Sequence, residues 1–133
     1  ENQGQFPWVE HHLMNMPGCH CALAGDMDLD GDLDVVAIAL QPAEVLDRFG
    51  REHFDSICWL EQTAPGEFHR RTLELGACNH MALCLADFDA DGDLDIAIGD
   101  FHSDSSGSSA ESAPLTIHWN QVKSSPETNV STE

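Results

Sequence analysis

Residues 26–34 read DMDLDGDLD, and residues 87–95 repeat the pattern as DFDADGDLD. Each stretch places five carboxylates within nine residues, so a closed loop would suffer strong repulsion between like charges unless a cation neutralised it. Each stretch is followed by a short apolar run, VVAIAL in the first case and IAI in the second. A cation-filled turn that leads into a buried β-strand accounts for both observations.

The spacing Asp-x-Asp-x-Asp-Gly-x-x-Asp suits Ca²⁺, which takes about six to eight oxygen ligands at roughly 2.3–2.6 Å. Carboxylates at positions 1, 3, 5 and 9 and a backbone carbonyl at position 7 can surround one ion, and glycine at position 6 permits the turn. The predicted ligands are Asp26, Asp28, Asp30, the carbonyl oxygen of Asp32 and Asp34 in the first loop, and Asp87, Asp89, Asp91, the carbonyl oxygen of Asp93 and Asp95 in the second. The sequence therefore predicts two calcium ions, one per loop, with the side chains of Asp32 and Asp93 facing solvent.

Other architectures for an acidic loop fit less well. An EF-hand needs Glu at position 12 and a helix on either side, whereas Ala37 and Ile98 stand at that position within β-rich sequence. A dockerin-like pair of loops requires shorter repeats and a following helix. A solvated acidic turn without a cation is the remaining alternative, and it leaves five carboxylates repelling one another.

The surrounding sequence repeats together with the loops. HCALAGDMD aligns with HMALCLADFD, which pairs His20 with His80, and SICWLEQ aligns with TIHWNQ, which pairs Trp59 with Trp119. We therefore divide the chain into two units and a tail. They are residues 1–60 with loop 26–34, residues 61–122 with loop 87–95, and a disordered tail at residues 123–133.

Alternating apolar residues predict four strands in each unit. The expected strands are residues 6–13, 19–24, 33–40 and 55–61, then residues 67–75, 80–86, 94–101 and 115–120. Residues 42–54 form an insert with Pro42 at the start and Gly50 as a stop, which predicts a short helix. The counterpart at 102–114 is a Ser- and Gly-rich loop. The predicted fold class is all-β, with two four-stranded β-propeller blades that other chains or the rest of a longer chain complete into a ring.

The two acidic loops, the apolar strand after each, and the preceding HCALAGD and MALCLAD resemble the FG-GAP/VCBS-type repeats of integrin-alpha-like β-propellers. The segments GQF and GEF near the Trp positions are similar to blade junctions of bacterial members. This resemblance covers about residues 1–120. It implies a propeller fold, one Ca²⁺ per motif and an extracellular, periplasmic or cell-surface location. It does not imply one activity, because such blades serve in adhesion, in lectin-like modules and beside secreted enzymes.

Charge and hydropathy exclude several classes of partner. The net charge is −19, and phosphate contacts need Lys and Arg, so nucleic acid is not an expected partner. The longest clean apolar run, residues 35–40, is far shorter than the roughly 20 residues that cross a bilayer, so membrane insertion is not expected either.

Catalysis also lacks a motif, because no nucleophile elbow or glycine-rich phosphate loop is present. We therefore expect a non-enzymatic binding or assembly module whose partner is a protein or further blades, in a homo-oligomer or a larger chain. One alternative is a two-blade lectin, with Trp59 and Trp119 near a glycan. Another is an accessory subunit of a redox or enzyme complex that uses the Cys and His residues as soft ligands. The insert residues Phe49, Arg51 and Phe54 are candidates for a partner surface.

Overall fold

A computed structural model describes residue 4, residues 8–101 and residues 115–122. Within those residues, the strands are β1 (Cys19–Gly25), β2 (Asp34–Ala39), β3 (Asp55–Ala64), β4 (Glu67–Leu75), β5 (His80–Ala86), β6 (Asp95–Asp100) and β7 (Leu115–His118). One helix, α1 (Ala43–Phe49), and a 3₁₀ turn (Arg51–His53) lie between β2 and β3. The loop predicted at residues 102–114 and the tail predicted at residues 123–133 lie outside the described residues.

The strands form two antiparallel sheets, one of four strands in the order β1-β2-β3-β4 and one of three strands in the order β5-β6-β7. The all-β prediction is confirmed at this level, and seven of the eight predicted strands are present. The grouping of the strands differs from the prediction, because β4 pairs with β3 rather than opening the second sheet. The boundary placed between residues 60 and 61 therefore falls inside β3. Residues 8–13 form no strand, so the prediction of a strand over 6–13 is wrong for its described part.

The main core lies between the two sheets. Val36, Ile38 and Ile57 of the first sheet pack against Ile96 and Ile98 of the second, and all five are at most 5% exposed. Burying each such aliphatic side chain stabilises the fold by roughly 1.5–3 kcal/mol. Because strand residues alternate between faces, this packing fixes which face of each sheet points inward and which points outward.

A smaller cluster surrounds the insert between β2 and β3. Leu46 of α1 packs with Ala39, Phe54 and Cys78, and Phe54 is only 8% exposed. The helix ends at Gly50, whose φ of 89° lies in a region that side chains disfavour. The helix prediction for this insert is confirmed. Phe54, however, is a core residue and not part of an exposed partner surface.

The two sheets repeat one another, but with a register that sequence comparison misplaces. Cys19 pairs with Ala39 just as His80 pairs with Asp100, so His80 corresponds to Cys19 and not to His20. A β-bulge follows at the same place in both strands.

The Trp pairing is also corrected. Ile38 pairs with Ile57, 19 residues later, whereas the corresponding Gly99 pairs with Leu115, 16 residues later. The second connection is thus three residues shorter, and Trp59 corresponds to Ile117 rather than to Trp119. SICWLEQ and TIHWNQ resemble each other in sequence, but the connections that precede them differ in length, so their Trp residues do not occupy equivalent positions.

Candidate metal centres

The two acidic loops follow the same backbone path. Leu29 and Ala90 both have a φ of 63°, and the glycines that follow, Gly31 and Gly92, have φ values of 97° and 101°. These positive φ values bend the chain so that successive Asp side chains turn toward one side. The glycine at the sixth position thus has a geometric cause that is the same in both loops.

The first Asp of each loop closes the turn. Asp26 accepts a hydrogen bond from the backbone N–H of Gly31 at 3.1 Å, and Asp87 accepts one from Gly92 at 3.1 Å. A second bond of the same kind runs from the N–H of Asp32 to Asp30 at 3.0 Å, and from the N–H of Asp93 to Asp91 at 3.3 Å. Side-chain acceptors therefore hold the loop backbone in its curved form.

The last Asp of each loop joins the loop to the sheet. Asp34 accepts the backbone N–H of Met27 at 3.0 Å with one oxygen and that of Gln62 at 2.8 Å with the other. Asp34 is 1% exposed, so these two bonds satisfy a carboxylate that burial would otherwise disfavour. The start of the loop is thereby tied to β3.

The second loop repeats this arrangement. Asp95 accepts the backbone N–H of Phe88 at 2.9 Å and that of Asn120 at 2.8 Å, and it is fully buried. The side-chain amide of Asn120 also donates to the carbonyl oxygens of Met27 at 2.7 Å and Leu94 at 3.2 Å. Asn120 therefore links the second loop to the first. Sequence reasoning missed this residue, because the signal is a single Asn after a short strand.

Carboxylates converge in both loops. Asp26, Asp28 and Asp30 each offer an oxygen within 4.8 Å of the others, and so do Asp87, Asp89 and Asp95. Two oxygens bound to one Ca²⁺ at roughly 2.3–2.6 Å lie at most about 5.2 Å apart. Both groups are therefore compact enough to hold one ion. The oxygen-only donor set favours a hard cation over a transition metal.

Several loop oxygens are buried without a hydrogen-bond partner among the described residues. They are Oδ1 of Asp26, Oδ1 of Asp32 and both carboxylate oxygens of Asp93. Asp93 is only 2% exposed and Asp32 is half-buried, so the prediction that these two side chains face solvent is wrong. Buried anionic oxygens without donors are costly unless a cation compensates them, so the residues present fit a metal ion.

Desolvation and repulsion between neighbouring carboxylates both favour protonation within each loop. Burial, followed by the charges of Asp30 and Asp34, raises the pKa of Asp28 above its ordinary value. Desolvation and then the charges of Asp91 and Asp95 raise the pKa of Asp89. Each loop thus carries more negative charge than its own surroundings stabilise, and a bound cation would relieve this excess.

The structure places the ten predicted residues in three roles. Three in each loop converge on one point, namely Asp26, Asp28 and Asp30, and Asp87, Asp89 and Asp95. Asp34 lies outside the compact group of the first loop, and Asp91 lies outside that of the second, where both accept backbone hydrogen bonds. The side chains of Asp32 and Asp93 are drawn inward instead of pointing into solvent.

A buried histidine also joins the two sheets. His80, 4% exposed, contacts Asp100 through Nδ1 and Glu74 through Nε2, each at 2.6 Å. Glu74 belongs to β4 of the first sheet, whereas His80 and Asp100 belong to the second. Sequence reasoning missed this contact because the aligned His20 is exposed and has a different position in its strand.

A groove of about 300 Å³ lies between the sheets beside the first loop. Its lining includes Trp59, Leu73, His118 and Trp119. The indole N–H of Trp59 is buried and lacks a hydrogen-bond partner among the described residues. The groove therefore offers aromatic surface from Trp59 and Trp119.

No helix among the described residues is long and apolar enough to cross a membrane. Comparison with protein-family models, curated proteins and solved structures finds no match to this chain.

Proposed function

We propose that this chain is a calcium-binding, non-catalytic β-repeat module of an extracytoplasmic protein, of the propeller-blade type that FG-GAP/VCBS repeats form. The observation that carries the proposal is the repeated loop. Two segments 61 residues apart share one backbone path, and each brings three carboxylates within 4.8 Å. Mutually repulsive carboxylates are brought together twice in the same loop geometry, which is the arrangement expected of a structural cation site.

The role of the ion is to fix a connection between strands. Loop 26–34 joins β1 to β2, and its last residue, Asp34, also bonds the backbone at Gln62. Binding of Ca²⁺ to the loop would therefore stiffen three strand ends together. Because most ligands come from a single loop, few coordination positions remain for a substrate, which supports a structural rather than a catalytic ion.

The partner that we propose is a further β-sheet of the same kind. Val36 and Ile38, which face the second sheet, correspond in register to Ala97 and Gly99, which face outward from it. Met27 is 5% exposed at the inner interface, whereas the corresponding Phe88 is 44% exposed. Packing of this type leaves the outward face of the second sheet open to a further sheet, whereas residues 13–16 lie against the outward face of the first sheet.

Native mass spectrometry in calcium buffer, with and without chelator, tests both parts. We expect two Ca²⁺ per chain in wild type, one in Asp28→Ala, one in Asp89→Ala and none in the double variant. Assembly of several chains into an oligomer, or packing of this chain against further sheets of a longer protein, should require bound calcium. A metal-free wild type in millimolar Ca²⁺ would contradict the proposal.

A glycan-binding role is a second candidate, supported by the groove beside Trp59 and Trp119. Aromatic faces are suited to stacking against the apolar face of a sugar ring. Trp119→Ala should abolish binding on a glycan array, whereas Trp8→Ala, at a 70% exposed Trp outside the groove, should not. An array without signal for wild type in calcium buffer would exclude this role.

A further inference from the structure

Residues 11–21 read HHLMNMPGCHC, and seven of these eleven residues are His, Met or Cys. Calcium loops do not use such side chains, because Ca²⁺ prefers hard oxygen donors. Thioether and thiol sulfur are instead ligands of soft metals, Cu(I) above all. Calcium binding therefore does not explain the composition of this segment.

The structure lays this segment along the outward face of the first sheet. A cavity of about 210 Å³ lies there, and Met14, Met16 and Cys19 line it. The remaining lining is apolar: Leu13, Ala22, Val35, Ala37 and Leu60. A fourth sulfur comes from β3, since Sγ of the fully buried Cys58 lies 3.7 Å from Sδ of Met14.

We propose that Met14, Met16, Cys19 and Cys58 form a binding site for one soft monovalent cation of the Cu(I) class. A metal–sulfur bond of about 2.3 Å places two sulfurs of a tetrahedral shell about 3.8 Å apart. The Met14–Cys58 separation matches this value. The ligands come from the covering segment and from two strands of the sheet, so the bound ion would fasten the segment to the sheet.

Ordinary packing explains the sulfur less well. The corresponding face of the second sheet is filled by aliphatic side chains, Leu83, Leu85, Ile96 and Ile98. In that register Cys58 corresponds to Thr116 and Cys19 to His80. The sulfur at this cavity is therefore not a property of the repeat, and its concentration around one cavity is the arrangement that a soft-metal site would use.

The site is independent of the calcium proposal, because the two sets of ligands share no residue and differ in hardness. The experiment is an anaerobic Cu(I) titration of the full chain against a chromogenic Cu(I) chelator, in saturating Ca²⁺. We expect the wild-type chain to retain one Cu(I) per chain in competition with the chelator. The volume-conserving double variant Met14→Leu/Met16→Leu should lose affinity by about tenfold or more, since loss of even outer-shell partners has effects of that size.

A matched control is Met81→Leu/Cys84→Ser, which removes an exposed thioether and an exposed thiol from the second sheet. It should bind Cu(I) like wild type. Retained calcium-dependent stabilisation in each variant would show that the variants fold. X-ray absorption of the complex should show sulfur neighbours only.

Three results would overturn the proposal. One is unchanged Cu(I) affinity in the Met14/Met16 variant. Another is loss of binding in His11→Gln/His12→Gln/His20→Gln together with a nitrogen-dominated absorption spectrum. The third is absence of any retained Cu(I) in wild type, which would leave the calcium proposal untouched.

Discussion

Loop 26–34 and loop 87–95 differ less in their backbone than in what surrounds them. Both place a residue at a φ of 63° before a glycine near 100°. At the seventh position, however, Asp32 is half-buried and Asp93 is 2% exposed. The comparison shows that the Asp-Gly pattern fixes the path of the loop, whereas the neighbouring chain decides how deeply its charges are buried.

The largest effect is expected from the buried aspartates that the loops share. Asp34→Ala and Asp95→Ala each leave two buried or partly buried backbone N–H groups without an acceptor, at up to about 1–3 kcal/mol per group. Urea unfolding in chelator should show a loss of roughly 2–6 kcal/mol for either variant, and a smaller loss for the Asn variants, which keep one oxygen. Equal stability of wild type and the Ala variants would refute the role assigned to these bonds.

The second largest effect is the contribution of each loop to calcium-dependent stability. A ligand at 100 times its Kd stabilises the folded state by about 2.7 kcal/mol per site. Asp28→Ala and Asp89→Ala should each remove about one such increment from the calcium-dependent stability, and the double variant should remove both. Thermal unfolding with and without Ca²⁺ measures this. If calcium stabilised all three variants as strongly as wild type, these carboxylates would not be ligands.

The sequence predicts the local parts of this molecule well. The loop positions, the strand that follows each loop and the helix after Pro42 depend on residues close together in the chain. The assignment of β4 to the first sheet does not depend on nearby residues alone. A repeat of about sixty residues shows the same period whichever strand opens a sheet, so the repeat does not reveal where one sheet ends and the next begins. Nothing in residues 67–75 themselves says which neighbour they will pair with.

The errors of the site prediction have the same origin. The exposure of Asp93 depends on long-range packing, which spacing within the loop does not report. The pairing of Trp59 with Trp119 failed because two connections differ by three residues. The contact of His80 with Glu74 and Asp100 joins two sheets and has no local signature.

Substitution of the loop glycines tests whether the two loops keep the same backbone path without a bound ion. A Cβ at Gly31 or Gly92 would meet nothing within 4 Å, so Ala is disfavoured there only by the positive φ. Each Gly→Ala variant should lose about 1–2 kcal/mol of stability in chelator. Matched urea titrations measure the two values. A large difference between the loops would show that their backbones are not held alike.

The smallest effect concerns the seventh position, where the buried Asp93 stands opposite the half-buried Asp32. Burial and the charges of Asp91 and Asp95 raise the pKa of Asp93, so the folded state holds its proton more tightly than the unfolded state does. That contribution to stability is full below the ordinary pKa of 3.8 and is lost as the pH rises through the raised value.

In chelator, Asp93→Asn should therefore be more stable than wild type at neutral pH, and the difference should shrink as the pH falls. Asp32→Asn is the matched control at the same position of the other loop, and its change should be smaller. Unfolding curves across this pH range measure both. A destabilised Asp93→Asn at neutral pH would show that its charge is already compensated.

The central claim is that each acidic loop holds one calcium ion. Crystals grown in millimolar CaCl₂ and measured at a long wavelength test it directly. The account predicts two anomalous difference peaks per chain, each with oxygen neighbours at roughly 2.3–2.6 Å from the Asp side chains and the position-7 carbonyl of one loop. Well-ordered loops without anomalous peaks would contradict it.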